Sequence, residues 1–430
     1  MGASRTGTVA VAAVVVSIAG GLGAPVAAES GGSSRAAIGV TELVDHDQAG
    51  VGLVSATQIN ERGQVIGATD DPTAGAGRGG AVWHRGHVTR LAPGRWTVPV
   101  DISEQGQVVG YEVAGYQGPI VFPVPVGFSW ANGRLTTLEL DCVSTAMAVN
   151  DRGQVVGSRS SGPGQCPPEV VVWHTDGDGG GVERDEVPPL DYETNSHIST
   201  EMDINDRGQI LVAARPWAEG TVTDSTVSLV WQPGHGPVEV GTLGGLPSHG
   251  LDLNERGQVA GWSETATGTS HAFLWHRGET TDLGTLGGGT SRPGVDAALP
   301  GSTWTPPRPT RVLNERGHVV GTSETATGAT HAFLWRRGEM TDLGTLGGPT
   351  SAAVAVNDRD QVVGFSTTAS GATHAFLWQR GEMTDLGALL DGDGDVDGPS
   401  VAVDINDRGQ IVGMVTGGGR SRAVLWTVRP

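Results

Sequence analysis

The sharpest local chemistry in the sequence is an acidic loop, Asp391-Gly392-Asp393-Gly394-Asp395-Val396-Asp397-Gly398. Counted from Asp393, carboxylates fall at positions one, three and five and a glycine at six. That is the spacing of a calcium turn, in which alternate side chains point inward and the glycine permits the bend. Asp391, Asp393, Asp395 and Asp397 are therefore candidate ligands for Ca2+. Position twelve is Asp404 rather than Glu, and Asp404 also belongs to a strand-like segment; a solvated acidic linker is the alternative. Three histidines, His271, His331 and His374, recur at one per repeat in three successive repeats. Ligands of one metal must converge, whereas these are spread through a periodic array, so they are expected to hydrogen-bond between neighbouring repeats. Eight of the twelve tryptophans (Trp83, Trp130, Trp173, Trp231, Trp275, Trp335, Trp378 and Trp426) fall in phase, which is a packing rule with an indole N–H to satisfy. The off-phase Trp96, Trp217, Trp262 and Trp304 are the candidates for contacting a ligand, Trp304 lying in a long insertion from Arg292 to Arg311. No Gly-x-Ser-x-Gly elbow, His-Glu-x-x-His or phosphate-binding loop occurs. A pair of carboxylates on separate repeats could still carry glycoside chemistry, which spacing in sequence does not expose.

These residues are positioned by an internal repeat. The phrase Ile59-Asn60-Glu61-Arg62-Gly63-Gln64-Val65-Ile66-Gly67 returns seven times, with Asn or its equivalent at 60, 103, 150, 205, 254, 314, 357 and 406. The intervals run from 43 to 60 residues, the period of propeller blades. Asn at the first turn position and Gly at the last predict a tight hairpin with its Asp/Glu-Arg tip in water. Ser103 and Gln105 in the second copy, and Asp360 for Gly in the seventh, depart from the pattern. A third strand, such as His331-Ala332-Phe333-Leu334-Trp335, is apolar on both faces, and a fourth, Met340-Thr341-Asp342-Leu343-Gly344, follows Arg337-Gly338. The eighth copy stops at Pro430 without its fourth strand, while Val40-Thr41-Glu42-Leu43-Val44-Asp45 precedes the first copy and resembles the missing piece. Pairing the two would close a ring and remove an exposed sheet edge. The expected fold is all-β: an eight-bladed β-propeller of four-stranded antiparallel blades, with seven blades plus a cap as the alternative.

Composition agrees. The 430 residues include 69 Gly and 24 Pro, too many for a helical bundle, without the period of collagen. The formal charge is −20 and no lysine occurs, which argues against nucleic acid as a partner. Residues 1–28 read as a secretory signal, with Arg5, an apolar run from Thr8 to Ala19, and Val26-Ala27-Ala28 before the cleavage point. Residues 29–38 read as a short flexible segment and 39–430 as the propeller. A secreted chain, monomeric and without a membrane span after cleavage, is expected. Cys142 and Cys166 then fit an oxidising compartment and one disulfide, two buried thiols being the alternative.

The phrases His-Ala-Phe-Leu-Trp, Asp-Leu-Gly-Thr-Leu-Gly-Gly and Ile-Asn-Asp-Arg-Gly-Gln-Val-Val-Gly resemble the HAF-repeat family of exported bacterial proteins, most closely between Gly241 and Gly387. The resemblance implies an extracellular repeat protein and supplies no catalytic residues. The first four repeats lack the His-Ala-Phe element. The expected function is a non-enzymatic binding or scaffold propeller that takes a glycan, protein or cell-wall component on the rim carrying the long connections, namely 111–127, 158–169, 289–311 and 389–400. A secreted hydrolase or lyase working in the central funnel is the alternative.

Overall fold

The computed structural model describes residues 37–429 apart from 49, 72–76, 116–122, 140, 161–165, 167–168, 176–181, 187–200, 215–225, 296–310 and 391–397. Its strands form eight four-stranded antiparallel sheets, seven of them built from consecutive strands. The eighth contains Ser400–Ile405, Gln410–Gly417, Arg420–Val428 and, as its outer strand, Ile38–Glu42 from the other end of the chain. The fold is an eight-bladed propeller closed by its N-terminal strand.

The seam copies the backbone bonding of an ordinary blade. In blades five to seven a leucine N–H after the fourth strand bonds to the third strand, as Leu283 to Ala272 O and Leu343 to Ala332 O, both at 3.0 Å. At the seam Leu43 N–H bonds to Ala423 O at the same distance. The histidines of those blades bond to the Asp that ends the fourth strand of their own blade: His271 to Asp282, His331 to Asp342 and His374 to Asp385, each at about 3.0 Å. They do not link neighbouring blades as the sequence led us to expect, because antiparallel pairing already brings third- and fourth-strand side chains side by side. In the eighth blade Arg422 and Glu42 occupy those two positions and form an ion pair of 3.0 Å.

In seven of the eight blades the second strand ends its apolar run in glycine for a packing reason. The innermost strand shifts register opposite it in blades one, two, three, five, seven and eight. The bulge pushes a carbonyl oxygen into the space a Cβ would fill: Val401 O meets Gly413, and Ala352 O meets Gly364. Blade four has Val212 there, and its innermost strand pairs with no shift. Third-strand aromatics fill the interfaces between blades, with Phe273, Phe333 and Phe376 fully buried. The in-phase tryptophans are buried too. Trp83 Nε1 donates to Val44 O at 3.0 Å, but Nε1 of Trp130, Trp173, Trp275 and Trp426 is buried without an acceptor among the described residues. The expected N–H partner is absent at these four because packing outweighs it. Ring burial of roughly 150–250 Å2 at about 25 cal/mol/Å2 exceeds the roughly 1–3 kcal/mol of an unmet donor.

Alternating strand direction puts the hairpins after the first and third strands on one rim. The longer connections leave from the other. The insertion ending at Arg311 falls within blade six. It interrupts the innermost strand of blade six, which pairs through Pro293 and resumes at Val312 and Leu313. This is the point at which six of the other blades carry their bulge. Cys142 and Cys166 are joined in a disulfide inside blade three, beside the long connection of that blade.

Candidate functional site

The repeated Asn-Asp/Glu-Arg-Gly hairpins converge on the propeller axis, and there the repeat's polar groups meet. Each Asn accepts two backbone N–H groups of its own turn, as Asn406 does from Arg408 and Gln410. Its amide then donates across to the next blade: Asn150 to Asn205 O, Asn205 to Asn254 O, Asn254 to Asn314 O, and so on through Asn406 to Asn60 O, all at 3.0 Å. Ser103 has no amide to donate. Its hydroxyl still accepts from Gln105 and Gln107, so the turn survives while the ring lacks one link.

A second ring has no gap. The acidic residue of each tip accepts the backbone N–H of the corresponding residue one blade earlier. Glu61 N–H donates to Glu104, Glu104 to Asp151, Asp151 to Asp206, Asp206 to Glu255, Glu255 to Glu315, Glu315 to Asp358, Asp358 to Asp407, and Asp407 back to Glu61, at 2.7–3.0 Å. Thus only half of the expected solvent-facing tip faces water. The arginines are exposed, but the carboxylates turn inward onto the neighbouring blade, where a charged acceptor strengthens an N–H bond. Burial and like-charged neighbours push the carboxyl groups of Glu104, Asp151, Glu255 and Glu315 above the usual range.

Four further aspartates tie the channel wall together. Asp101 accepts from Val149, Asp203 from Leu253, Asp252 from Leu313, and Asp404 from Ile59 across the seam. Asp404 is fully buried, and its second oxygen takes the N–H of Ile405. It is a wall residue and is not free to act as position twelve of a calcium loop. Burial raises its pKa to about 6, against the pull of Arg311 and of the two N–H donors.

Arg311 is the site residue that sequence reasoning missed. It follows the insertion in blade six, and its side chain crosses the axis to blades eight, one and two. Its guanidinium donates to Ile59 O at 3.2 Å and Ile405 O at 3.5 Å, and lies 3.5 Å from Glu104, 3.6 Å from Glu61 and 3.9 Å from Asp404. Burial opposes its charge, but Asp404, Glu104 and Glu61 outweigh that and hold it protonated above its ordinary range. The tip of blade two carries Gln105 where seven other blades carry Arg, and Arg62 reaches over to bond to that glutamine. Arg311 thus restores the missing positive charge, so that the eight ring carboxylates are matched in number by eight arginines around the axis. The signal was an arginine directly preceding Val312-Leu313-Asn314 together with an uncharged tip elsewhere.

The other departure is compensated in the same way. A glutamine from one blade lies over the tip glycine of the next, as Gln410 does over Gly63. Where Asp360 replaces that glycine, the previous blade supplies His318 in place of glutamine. The two side chains meet at 2.7 Å, with Arg336 on the other carboxylate oxygen at 3.1 Å.

Of the proposed ligand contacts, Trp96 is exposed just before the first strand of blade two. Trp262 is not an open platform, since His249 stacks on it at 4.6 Å and Arg292 covers it at 3.8 Å; His249 in turn bonds to Glu201 at 2.8 Å. Trp217, Trp304 and the acidic loop Asp391, Asp393, Asp395 and Asp397 lie outside the described residues, as do residues 1–36. Asp45, Asp47 and His87 form a group in which only Asp47 and His87 are exposed and the buried Asp45 is already occupied by three backbone N–H donors. Among the described residues no helix is long and apolar enough to cross a membrane.

No family model and no curated protein matches the chain. Among solved structures it is similar to the β-propeller domain of the trilobed protease from Pyrococcus furiosus, at 9% identity over 77% of this chain and 93% of that one, with a TM-score of 0.46. It is also similar to a puromycin-hydrolysing peptidase of Mycobacterium tuberculosis, at 13% identity over 78% of this chain and 53% of that one (TM-score 0.49). An acylaminoacyl peptidase from Pyrococcus horikoshii matches at 11% identity over 84% of this chain and 57% of that one (TM-score 0.46). The chain spans just over half the length of those two peptidases. At such identities and scores the likeness carries no functional weight, and the propeller rests on its own strand pairing.

Proposed function

We propose that the chain is an exported, non-enzymatic binding scaffold of the HAF-repeat kind. It takes a glycan, a protein or a cell-wall component through the irregular connections on the rim opposite the hairpin tips. One observation carries this reading: the repeat's own polar chemistry is committed to joining blades, while most differences in connection length, blade three's third-to-fourth-strand turn apart, fall on the other rim, where a rigid scaffold displays variable loops. A funnel hydrolase would need a carboxyl group open to substrate, and Asp404, the one with the most raised pKa, has both oxygens bonded to backbone N–H groups.

A screen of the chain against glycans and isolated cell walls tests the proposal, alongside a variant with connections 116–122 and 391–397 shortened to tight turns. The expected result is binding by the parent and its loss in the variant, at equal melting temperature. Binding that survives loop shortening, or no binding by the parent, contradicts it. The Ca2+ proposal for Asp391, Asp393, Asp395 and Asp397 is tested in the same preparation, where a melting temperature unchanged by chelation removes it.

A further inference from the structure

The rim of hairpin tips has a chemistry of its own, separate from the proposed loop face. Its inner circle carries seven exposed arginines, one per blade except blade two. Five of them, Arg152, Arg207, Arg256, Arg359 and Arg408, make no side-chain hydrogen bond or ion pair with any described residue. Just inside lie the eight carboxylates, each with one oxygen committed to a neighbouring backbone N–H. A second observation points the same way. Five of the six two-residue turns after the third strand are of the type with both residues at positive φ (Pro233-Gly234 of blade four is the exception), and four of those five carry arginine first: Arg85, Arg277, Arg337 and Arg380, at φ of 52–54°. Asn, used once at Asn132, takes that conformation at lower cost. Four arginines held in an unfavourable conformation, all exposed on the same rim, indicate that the guanidinium is what the position requires. This cationic outer layer belongs to a chain of net charge −20.

We propose that this rim docks an anionic polysaccharide. Guanidinium groups spaced around a circle suit a polymer that offers one carboxylate per sugar or so, since each can take a carboxylate in a bidentate pair while a small anion would engage only one or two. The carboxylates beneath repel a dense polyphosphate, but their uncommitted oxygens accept sugar hydroxyls. The ligand that fits both layers therefore carries carboxylates and hydroxyls together.

Binding of the full chain to polygalacturonate is the test, with dextran, inorganic polyphosphate and double-stranded DNA as the other arms and salt varied throughout. Expected is binding to polygalacturonate that weakens linearly on a logarithmic salt scale, with none to dextran and weaker binding to the other two polyanions. The triple variant Arg152→Ser, Arg207→Ser, Arg359→Ser should lose about tenfold in affinity and show a shallower salt slope, with its melting temperature kept. Arg78→Ser with Arg420→Ser, on the opposite rim, should change neither. No binding, stronger binding to polyphosphate or DNA, or equal losses in the two sets of variants overturns the proposal. Because the loop-shortened variant leaves this rim intact, failure of the loop proposal and failure of this one are separately visible.

Discussion

At the scale of single residues, the repeated phrase is a set of solutions to one problem, holding eight sheets against one another around an axis. The glycine that ends each second strand makes room for a bulged carbonyl. Gly413→Ala would drive a methyl into Val401 O and to 2.7 Å from the Trp426 ring, and should cost about 3 kcal/mol in chemical denaturation. Val212→Gly in blade four, where there is no bulge, should cost only what a lost side chain costs. A similar loss for Gly413→Ala and an ordinary surface substitution would refute the bulge argument. The axial carboxyl groups make a second residue-level prediction. Asp404 is raised from 3.8 to about 6, and Glu104, Asp151, Glu255 and Glu315 are raised as well, so the native state binds more protons than the unfolded chain between about pH 4 and 6. Their contribution to stability is full below about pH 4 and is lost as pH rises through 6, on the order of 3 kcal/mol for Asp404. Asp45, lowered chiefly by the Val88 N–H, and His84, lowered by burial, oppose them, but the raised carboxyl groups outnumber these two. The melting temperature should therefore be higher at pH 5 than at pH 7, and Asp404→Asn should flatten that difference; a rise toward pH 7 in the parent would contradict it.

At the scale of elements, strand Ile38–Glu42 stands in for the fourth strand of the last blade in backbone register, in the Leu43 bond and in the Glu42–Arg422 pair. Deleting residues 37–44 should expose the edge of strand Arg420–Val428 and strip Leu43 from the core, lowering the melting temperature by more than 10 °C and promoting association. Glu42→Gln alone should cost under about 1 kcal/mol, because both partners are about a third exposed. This strand was legible in sequence because Val-Thr-Glu-Leu repeats the pattern of Met-Thr-Asp-Leu. So were the blade number and the hairpins, which depend on local turn chemistry and a period. The direction of the tip carboxylates was not legible, since it depends on the neighbouring blade rather than on their own hairpin. The within-blade histidine pairs were misread for the opposite reason. His271 and Asp282 were treated as separate motifs, although eleven residues across one hairpin bring them together. Arg311 escaped because its partners lie more than 90 residues away on one side and more than 200 on the other, and no periodic signal marks it.

At the scale of the whole molecule, blades one and eight are joined as firmly as any other pair. The Asn406–Asn60, Asp407–Glu61 and Ile59–Asp404 bonds, with Arg311 holding Ile59 O and Ile405 O from across the axis, make the ring continuous at the place where the chain itself is not. A rigid ring is what both proposed faces need, since loops on one rim and arginines on the other can hold a fixed pattern only if the blades do not part. Native-state hydrogen exchange measures this directly. The amides of Leu43, Ile59 and Asp407 at the seam should open with the same free energy, and the same denaturant dependence, as Leu253 and Leu313 within the ring. Seam amides that exchange orders of magnitude faster, in a separate low-energy step, would show an open array of blades and contradict the closed ring.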